Sequence, residues 1–303
     1  MKTKSTVYLF AALAVLVLVF SSCDKEPAKG PRLIFKFKFD STQVRLNNIG
    51  QPATLPSNHR AQSPKFNSMS AHYIELAGDW DVLGGGKVLY KAEETTAGGP
   101  QAIDFSKATI VREGEEFFSV PLSLITPGSY KWLRVSLAYQ NYDITYKQSG
   151  ITGTGTIASF IGYRTYVNSY KIKNQTITPS PATGGPGNHA QGYWGFETTV
   201  FGTAYTLDGQ APAGATTVPN PNFTNSPIPA GSCVVTGKFV TPGGTEEALT
   251  ITGDETQDIV ITVSLSINNS FEWIEAGSDN YFEPSAGDAV VDMGVRGLIP
   301  YKP

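Results

Sequence analysis

In the stretch "RLIFKFKFD", Leu33, Phe35, Phe37 and Phe39 fall on one parity while Ile34, Lys36 and Lys38 fall on the other. Side chains of an extended chain point alternately to opposite faces, so this pattern describes a strand with one face in a core and the other toward water. "DIVITVSLSI" repeats it, with Ile259, Ile261, Val263, Leu265 and Ile267 set against Val260, Thr262, Ser264 and Ser266. Shorter runs of the same kind are "WLRVSLAY", "TIASFI", "KIKNQTIT", "YWGFETTVF", "SCVVTGKFV", "ALTIT" and "AVVDM". No window carries an apolar stripe at helical spacing, and only "HYIELAGDW" reads as a candidate helical turn. Between these runs lie most of the 31 Gly and 20 Pro residues, so the pattern predicts an all-β protein: an antiparallel β-sandwich with long Gly/Pro-rich loops.

The first residues follow another rule. Lys2 and Lys4 precede an apolar run from Phe10 to Phe20, and Ser21 and Ser22 lead into Cys23. A run of roughly eleven residues is too short to span about 30 Å of hydrocarbon but suits a secretory signal. The arrangement resembles the lipobox of bacterial lipoproteins, in which the cysteine is acylated and becomes the mature N-terminus. Phe20 departs from the aliphatic residue usual three positions before that cysteine. The resemblance implies a signal peptide over 1–22, a palmitate-type anchor on Cys23, and a tether over 23–31 ahead of one sandwich domain over 32–303. Simple secretory cleavage and an uncleaved anchor are the alternatives. Each buried acyl methylene contributes about 0.8 kcal/mol, so two or three chains hold a protein firmly where one does not. Asp24 and Glu26, interrupted by Lys25, resemble the acidic surface-export signal of Bacteroidota-type lipoproteins. The expected location is therefore the outer membrane, on its periplasmic face or at the cell surface.

Without residues 1–22 the chain keeps all 26 acidic residues but 21 of its 23 basic ones, so the formal charge falls from −3 to −5. That balance, with no basic tract, excludes an electrostatic nucleic-acid partner. The two cysteines, Cys23 and Cys233, rule out a disulfide-stapled fold, and alternation places Cys233 with Val235 and Phe239 as a buried thiol. Two low-complexity loops, "TPSPATGGPGNHAQG" and "DGQAPAGATTVPNPNFTNSPIPAGS", interrupt the strand pattern; the first could divide two lobes near 179–192.

Candidate chemistry is sparse. "DVLGGGKVLY" fails the phosphate-loop pattern, with Asp81 and Val88 at the required glycine and hydroxyl positions, and reads as a hairpin turn at Gly84 to Gly86. "GTGTIA", Gly153 to Ala158, matches the dinucleotide fingerprint but leads into β-prone residues where a helix would be needed. His59, His72 and His189 never take a metal-ligand spacing, so no metal or other cofactor is expected. Glu275, Asp279, Asn280, Glu283 and Asp288 form an oxygen-rich stretch without EF-hand order. No catalytic residue is identified, although dispersed carboxylates of a polysaccharide hydrolase would leave no sequence spacing.

Aromatic residues are the strongest pointer. With Leu133, Val135, Leu137 and Tyr139 assigned to the core, Tyr130, Trp132 and Arg134 take the opposite face, and Tyr193, Trp194 and Trp273 lie beside small or amide-bearing residues. Trp132, Arg134, Tyr193, Trp194 and Trp273 are thus the candidate ligand-binding set, able to stack on a sugar or anchor a partner, or else part of a second packed layer. The succession "FKFKFD", "HYIEL", "TPGSYKWLRVSLAY", "GYWGFET", "GSCVVTGKF" and "DIVITVSLSI" is similar in layout to MbnP-like β-sandwich proteins. Relatives of that family carry a histidine in the strand matching "CVVTGKF"; this chain has none there, and copper binding is not carried over. "DST" at Asp40 to Thr42 resembles an O-glycosylation motif.

The expected function is a non-enzymatic envelope lipoprotein that is held to the membrane through Cys23 and binds a glycan, a small ligand or an envelope protein. A fimbrial or adhesive subunit, trimmed after Arg45 or Arg60 to open a strand-acceptor groove, is the alternative, and a hydrolase the third.

Overall fold

The computed structural model describes residues 30–79, 86–211, 228–229 and 231–303. Among them the chain is all-β, and its helical segments are single 3-10 turns of three residues. Cys23, the expected signal and most of the expected tether lie outside the described residues, as do Gly84 and most of the second long loop.

Two sheets carry the core. The first runs in the order β22 (Gly297–Tyr301), β19 (Ile259–Ser266), β1 (Arg32–Asp40), β7 (Glu116–Pro121). The second runs β16 (Thr203–Gln210), β15 (Tyr193–Val200), β10 (Ile151–Phe160), β9 (Trp132–Gln148), β3 (Lys65–Ala77), β4 (Lys87–Lys91), with β17 (Cys233–Lys238) also paired to β9, and it curls into a half-barrel. Around them sit β2 (His59–Gln62) with β20 (Phe271–Ile274) and β21 (Ala289–Met293); β5 (Glu94–Thr95), β6 (Ala102–Asp104), β11 (Arg164–Val167) and β14 (Gly187–Ala190); β12 (Tyr170–Lys171) with β13 (Thr176–Ile177); and β8 (Gly128–Tyr130) with β18 (Leu249–Ile251).

The alternating residues do what their parity demands. Leu33, Phe35 and Phe37 of β1 and Ile261, Val263 and Leu265 of β19 are almost fully buried, facing Leu133, Val135 and Leu137 of β9. Burying such side chains is worth about 1.5–3 kcal/mol each, which is the main term holding the two sheets together. Cys233 joins this core with Val235 and Phe239.

Several expectations are corrected. The pairing of β1 with β19, Leu33 against Ile259 through Asp40 against Ser266, is parallel, as is that of β11 with β6; the other pairings between the described strands are antiparallel. "HYIELAGDW" is no helical turn: His72 to Ala77 complete β3, because Ile74 and Leu76 fill the core. The alternation in β9 breaks at Ala138. Ser70 pairs with Tyr139 and Ala71 with Leu137, so Ala138 is an extra, bulged residue that reverses the parity beyond it. Tyr139, expected beside Leu137, instead packs on the outer face with Phe160, Tyr170 and Tyr193, while Tyr142 and Ile144 turn inward. At the same bulge β9 exchanges one neighbour for another, pairing with β17 over Trp132 to Leu137 and with β10 over Tyr139 to Gln148.

The proline- and glycine-rich 179–192 stretch is stitched to the sheet. It contains β14, paired to β11, and Asp208 of β16 accepts from the Ser180 amide (2.9 Å) and the Thr183 hydroxyl (2.6 Å).

Candidate functional site

The C-terminal half of β9 and strands β10, β15 and β16 form one wing of the curled sheet. Their registers set Ile144 and Tyr146, Gly155 and Ile157, Trp194 and Phe196, and Leu207 and Gly209 on its concave face. A glycine inside a strand marks a place where something comes close to the backbone. Here aromatic rings do so. A Cβ on Gly155 would overlap the Phe196 ring, and one on Gly209 would lie 2.5 Å from the Trp194 indole. The Tyr146 ring, 3.2–3.3 Å from the same point on Gly153, reclines likewise and meets Phe196 edge-on at 5.4 Å between centroids. Each ring lies sideways across the neighbouring strand, so the concave face stays hollow.

The opposite wall comes from β20, β21 and the loop between them. Phe271 and Phe282 pack edge to face at 5.0 Å, and Val290 and Met293 extend the wall. The loop is tied to β9: the Lys147 amide donates to the Phe282 carbonyl (2.8 Å), and the Lys147 ammonium pairs with Asp279 and sits 3.7 Å from Glu283. Tyr142 donates to the Met293 carbonyl (2.8 Å), fixing the end of β21. Between the walls is a cavity of about 470 Å³, within the range of small-molecule sites. Leu207, 49 % exposed on the edge strand, stands at its mouth.

Polar groups are few. Tyr146 donates its hydroxyl proton to Thr198 (3.0 Å), because the Thr198 hydroxyl itself donates to the Thr154 carbonyl (3.0 Å). Asp288 is the carboxylate in the described lining, and both its oxygens accept backbone amides, from Ala276 and from Glu283, each at 2.7 Å. The described lining contains no Lys, Arg or His.

The five expected binding residues do not share a face. Trp194 lines the cavity. Trp273 is 1 % exposed and packs behind the wall on Phe271 and Phe282. Tyr193, next to Trp194 but of opposite parity, is buried on the outer face: it donates to Asp208 (2.9 Å), accepts from Tyr170 (3.1 Å) and stacks on His189 at 3.9 Å. Burial raises its pKa, and the adjacent Asp208 adds to the rise. Burial also opposes ionisation of Asp208, but its hydrogen bonds from Thr183 and Ser180 outweigh this and hold it below the ordinary carboxylate value. Arg134, expected on an open face, is fully buried and bonded to Glu75 (2.9 Å) and to the Asp79 carbonyl (2.9 Å). Trp132 is half-buried in a separate polar cleft, with the Lys238 ammonium 5.4 Å from its ring centre and Gln51, Lys131 and Glu246 nearby.

The remaining candidates have structural partners. His72 is buried against Glu94 (2.9 Å), and burial lowers its pKa; Glu94, despite its own burial, is held at about 2 by His72 and Lys91. His59 and Arg45 both bind Glu272. Glu275 forms an ion pair with Arg60 at 3.1 Å, and the Arg60 Nε donates to Asn280 (2.7 Å). Among the described residues no three His, Cys, Asp or Glu side chains cluster as metal ligands.

Tyr146, Phe196, Leu207, Phe271 and Phe282 were missed from the sequence. The signal that could have found the floor is "GTGTIA" set beside "GYWGFET", glycines within one strand run and aromatic residues within another. No protein-family model, curated protein or solved structure matches this chain.

Proposed function

We propose that this chain is a lipid-anchored envelope protein that holds a small, largely apolar ligand in the cavity beside Trp194, without transforming it. One observation carries the reading: a sheet wing whose rings recline over glycines and leave about 470 Å³ of apolar space facing a second aromatic wall. Well-packed interiors close such space, because each missing contact forfeits dispersion and transfer energy. The lining supports binding without chemistry: both Asp288 oxygens accept backbone amides, and no nucleophile–base pair lines the cavity among the described residues. The anchor rests on the signal and Cys23.

The test uses the exported full chain carrying Cys23→Ser, titrated with an environment-sensitive apolar dye. The expected result is saturable enhancement that Leu207→Trp, which narrows the mouth, weakens at least tenfold. Enhancement indifferent to that substitution would sink the reading.

A second reading, a strand-exchanging fimbrial subunit, is supported by the place of β1. It precedes Arg45 and Arg60 and lies between β19 and β7, so trimming would open a groove where Phe35 and Phe37 now pack. Arg45 is buried on Glu272, whereas the Arg60 side chain is 39 % exposed, so Arg60 is the accessible trimming point. Mass analysis of the protein from envelopes tests this: a mature N-terminus at Ala61 supports it, and one at Cys23 excludes it.

A further inference from the structure

Resting on that binding reading, we infer that the cavity's ligand is a neutral, planar ring system, aromatic or quinonoid, with one hydrogen-bonding substituent. Shape is the first argument. Trp194 and Phe196 lie across Gly209 and Gly155, so aromatic surface forms the floor, and Phe271 and Phe282 supply more from the facing wall. Aromatic surfaces favour offset or edge-to-face contact with another ring, which a flexible chain does not reproduce.

Charge is the second. A ligand carrying a carboxylate, phosphate or ammonium group would lose hydration in the cavity, and the described lining offers no cation to an anion. The one carboxylate of the described lining, Asp288, already holds the amides of Ala276 and Glu283 that shape the loop. Lys147, at the base of the same loop, is already paired with Asp279 and Glu283.

Polar reach is the third. Tyr146 has given its proton to Thr198, which leaves its oxygen as an acceptor; Gln148 of the same strand contributes an exposed amide to the lining, whereas Gln210 gives its amide nitrogen to the Gln191 carbonyl (2.7 Å). Two such groups suit one hydroxyl or carbonyl substituent.

The experiment compares three probes on the exported full chain carrying Cys23→Ser: pyrenemethanol, dodecanol and dodecanoate, each measured by equilibrium dialysis. The inference expects pyrenemethanol to bind at least tenfold more tightly than dodecanol, dodecanoate to bind most weakly, and Leu207→Trp to weaken pyrenemethanol at least tenfold. A preference for dodecanol, or for pyrenemethanol by less than tenfold, overturns the ring assignment and leaves the cavity reading standing. So does dodecanoate binding as tightly as either alcohol. If no probe binds, or binding ignores Leu207→Trp, both readings fall. Should Leu207→Trp not fold, Leu207→Ser at the same half-exposed position serves, with at least a threefold loss of pyrenemethanol affinity expected and no loss overturning both.

Discussion

Gly155→Ala tests the origin of the cavity directly. Gly155 is buried in β10, and its backbone is outside the left-handed region, so alanine meets no conformational penalty there. In a neutral setting the change would stabilise the protein by about 0.4–1 kcal/mol, through the reduced entropy of the unfolded chain. The added methyl, however, falls within the Phe196 ring. The ring must leave its place across Gly155 and stand up into the hollow, an overpacking that costs roughly 1–3 kcal/mol, toward the lower end because Phe196 is half-buried and has the cavity to move into. For a domain of this size that is a fall in Tm of about 2–8 °C. The decisive assay is a double-mutant cycle by denaturant unfolding. With Phe196→Ala the ring is gone, and Gly155→Ala should become neutral or stabilising, a coupling of about 1–3 kcal/mol. Apolar-dye affinity should fall in Gly155→Ala as the ring fills the space. Equal costs of Gly155→Ala in both backgrounds would refute the reasoning, since the methyl would then be meeting something other than Phe196.

Three further outcomes follow from buried charge and the proposed anchor. Glu75→Gln removes the carboxylate bonded to the fully buried Arg134 and should destabilise the protein by about 3–5 kcal/mol, measured as a lowered denaturant midpoint, because a desolvated guanidinium loses the charge of its Glu75 partner. Asp292 lies beside Arg296 and near Glu272 and Arg45, and burial raises its pKa to about 6 against 3.8. The folded protein therefore keeps a proton that the unfolded chain releases between those values, so this group's contribution to stability falls as pH rises from about 4 to 6, by up to about 3 kcal/mol. Comparing unfolding midpoints of the native protein and Asp292→Asn at pH 4.5 and 7.5 isolates that slope from Glu94, whose pKa, lowered to about 2, gives the opposite trend on acidification. Cys23→Ser should move the protein from the membrane to the soluble fraction on cell fractionation, and unchanged membrane retention would refute acylation.

Much of the architecture is local and therefore legible. Parity in "RLIFKFKFD" and "DIVITVSLSI" marks strands and the buried faces of β1 and β19, because an extended chain writes its two faces at every second residue. Which strand lies beside which is not local. The parallel match of β1 to β19 joins segments more than two hundred residues apart, and the bulge at Ala138 that sends Tyr139 outward exists only where β9 changes neighbours. Parity likewise sets Arg134 apart from Leu133 and Val135, yet says nothing of what covers that second face; Glu75, supplied by the neighbouring strand β3, turns it into a buried ion pair. The cavity follows the same division. Alternation separates Trp194 from Tyr193, but the hollow beside Trp194 depends on Gly155 and Gly209 standing next to rings on β15, and on a wall arriving from β20 and β21. By itself the sequence determined the all-β class and the inward faces of its principal strands. Tertiary structure alone decided register, the cover on each sheet face and the hollow, because these depend on distances between residues that the chain's order leaves free.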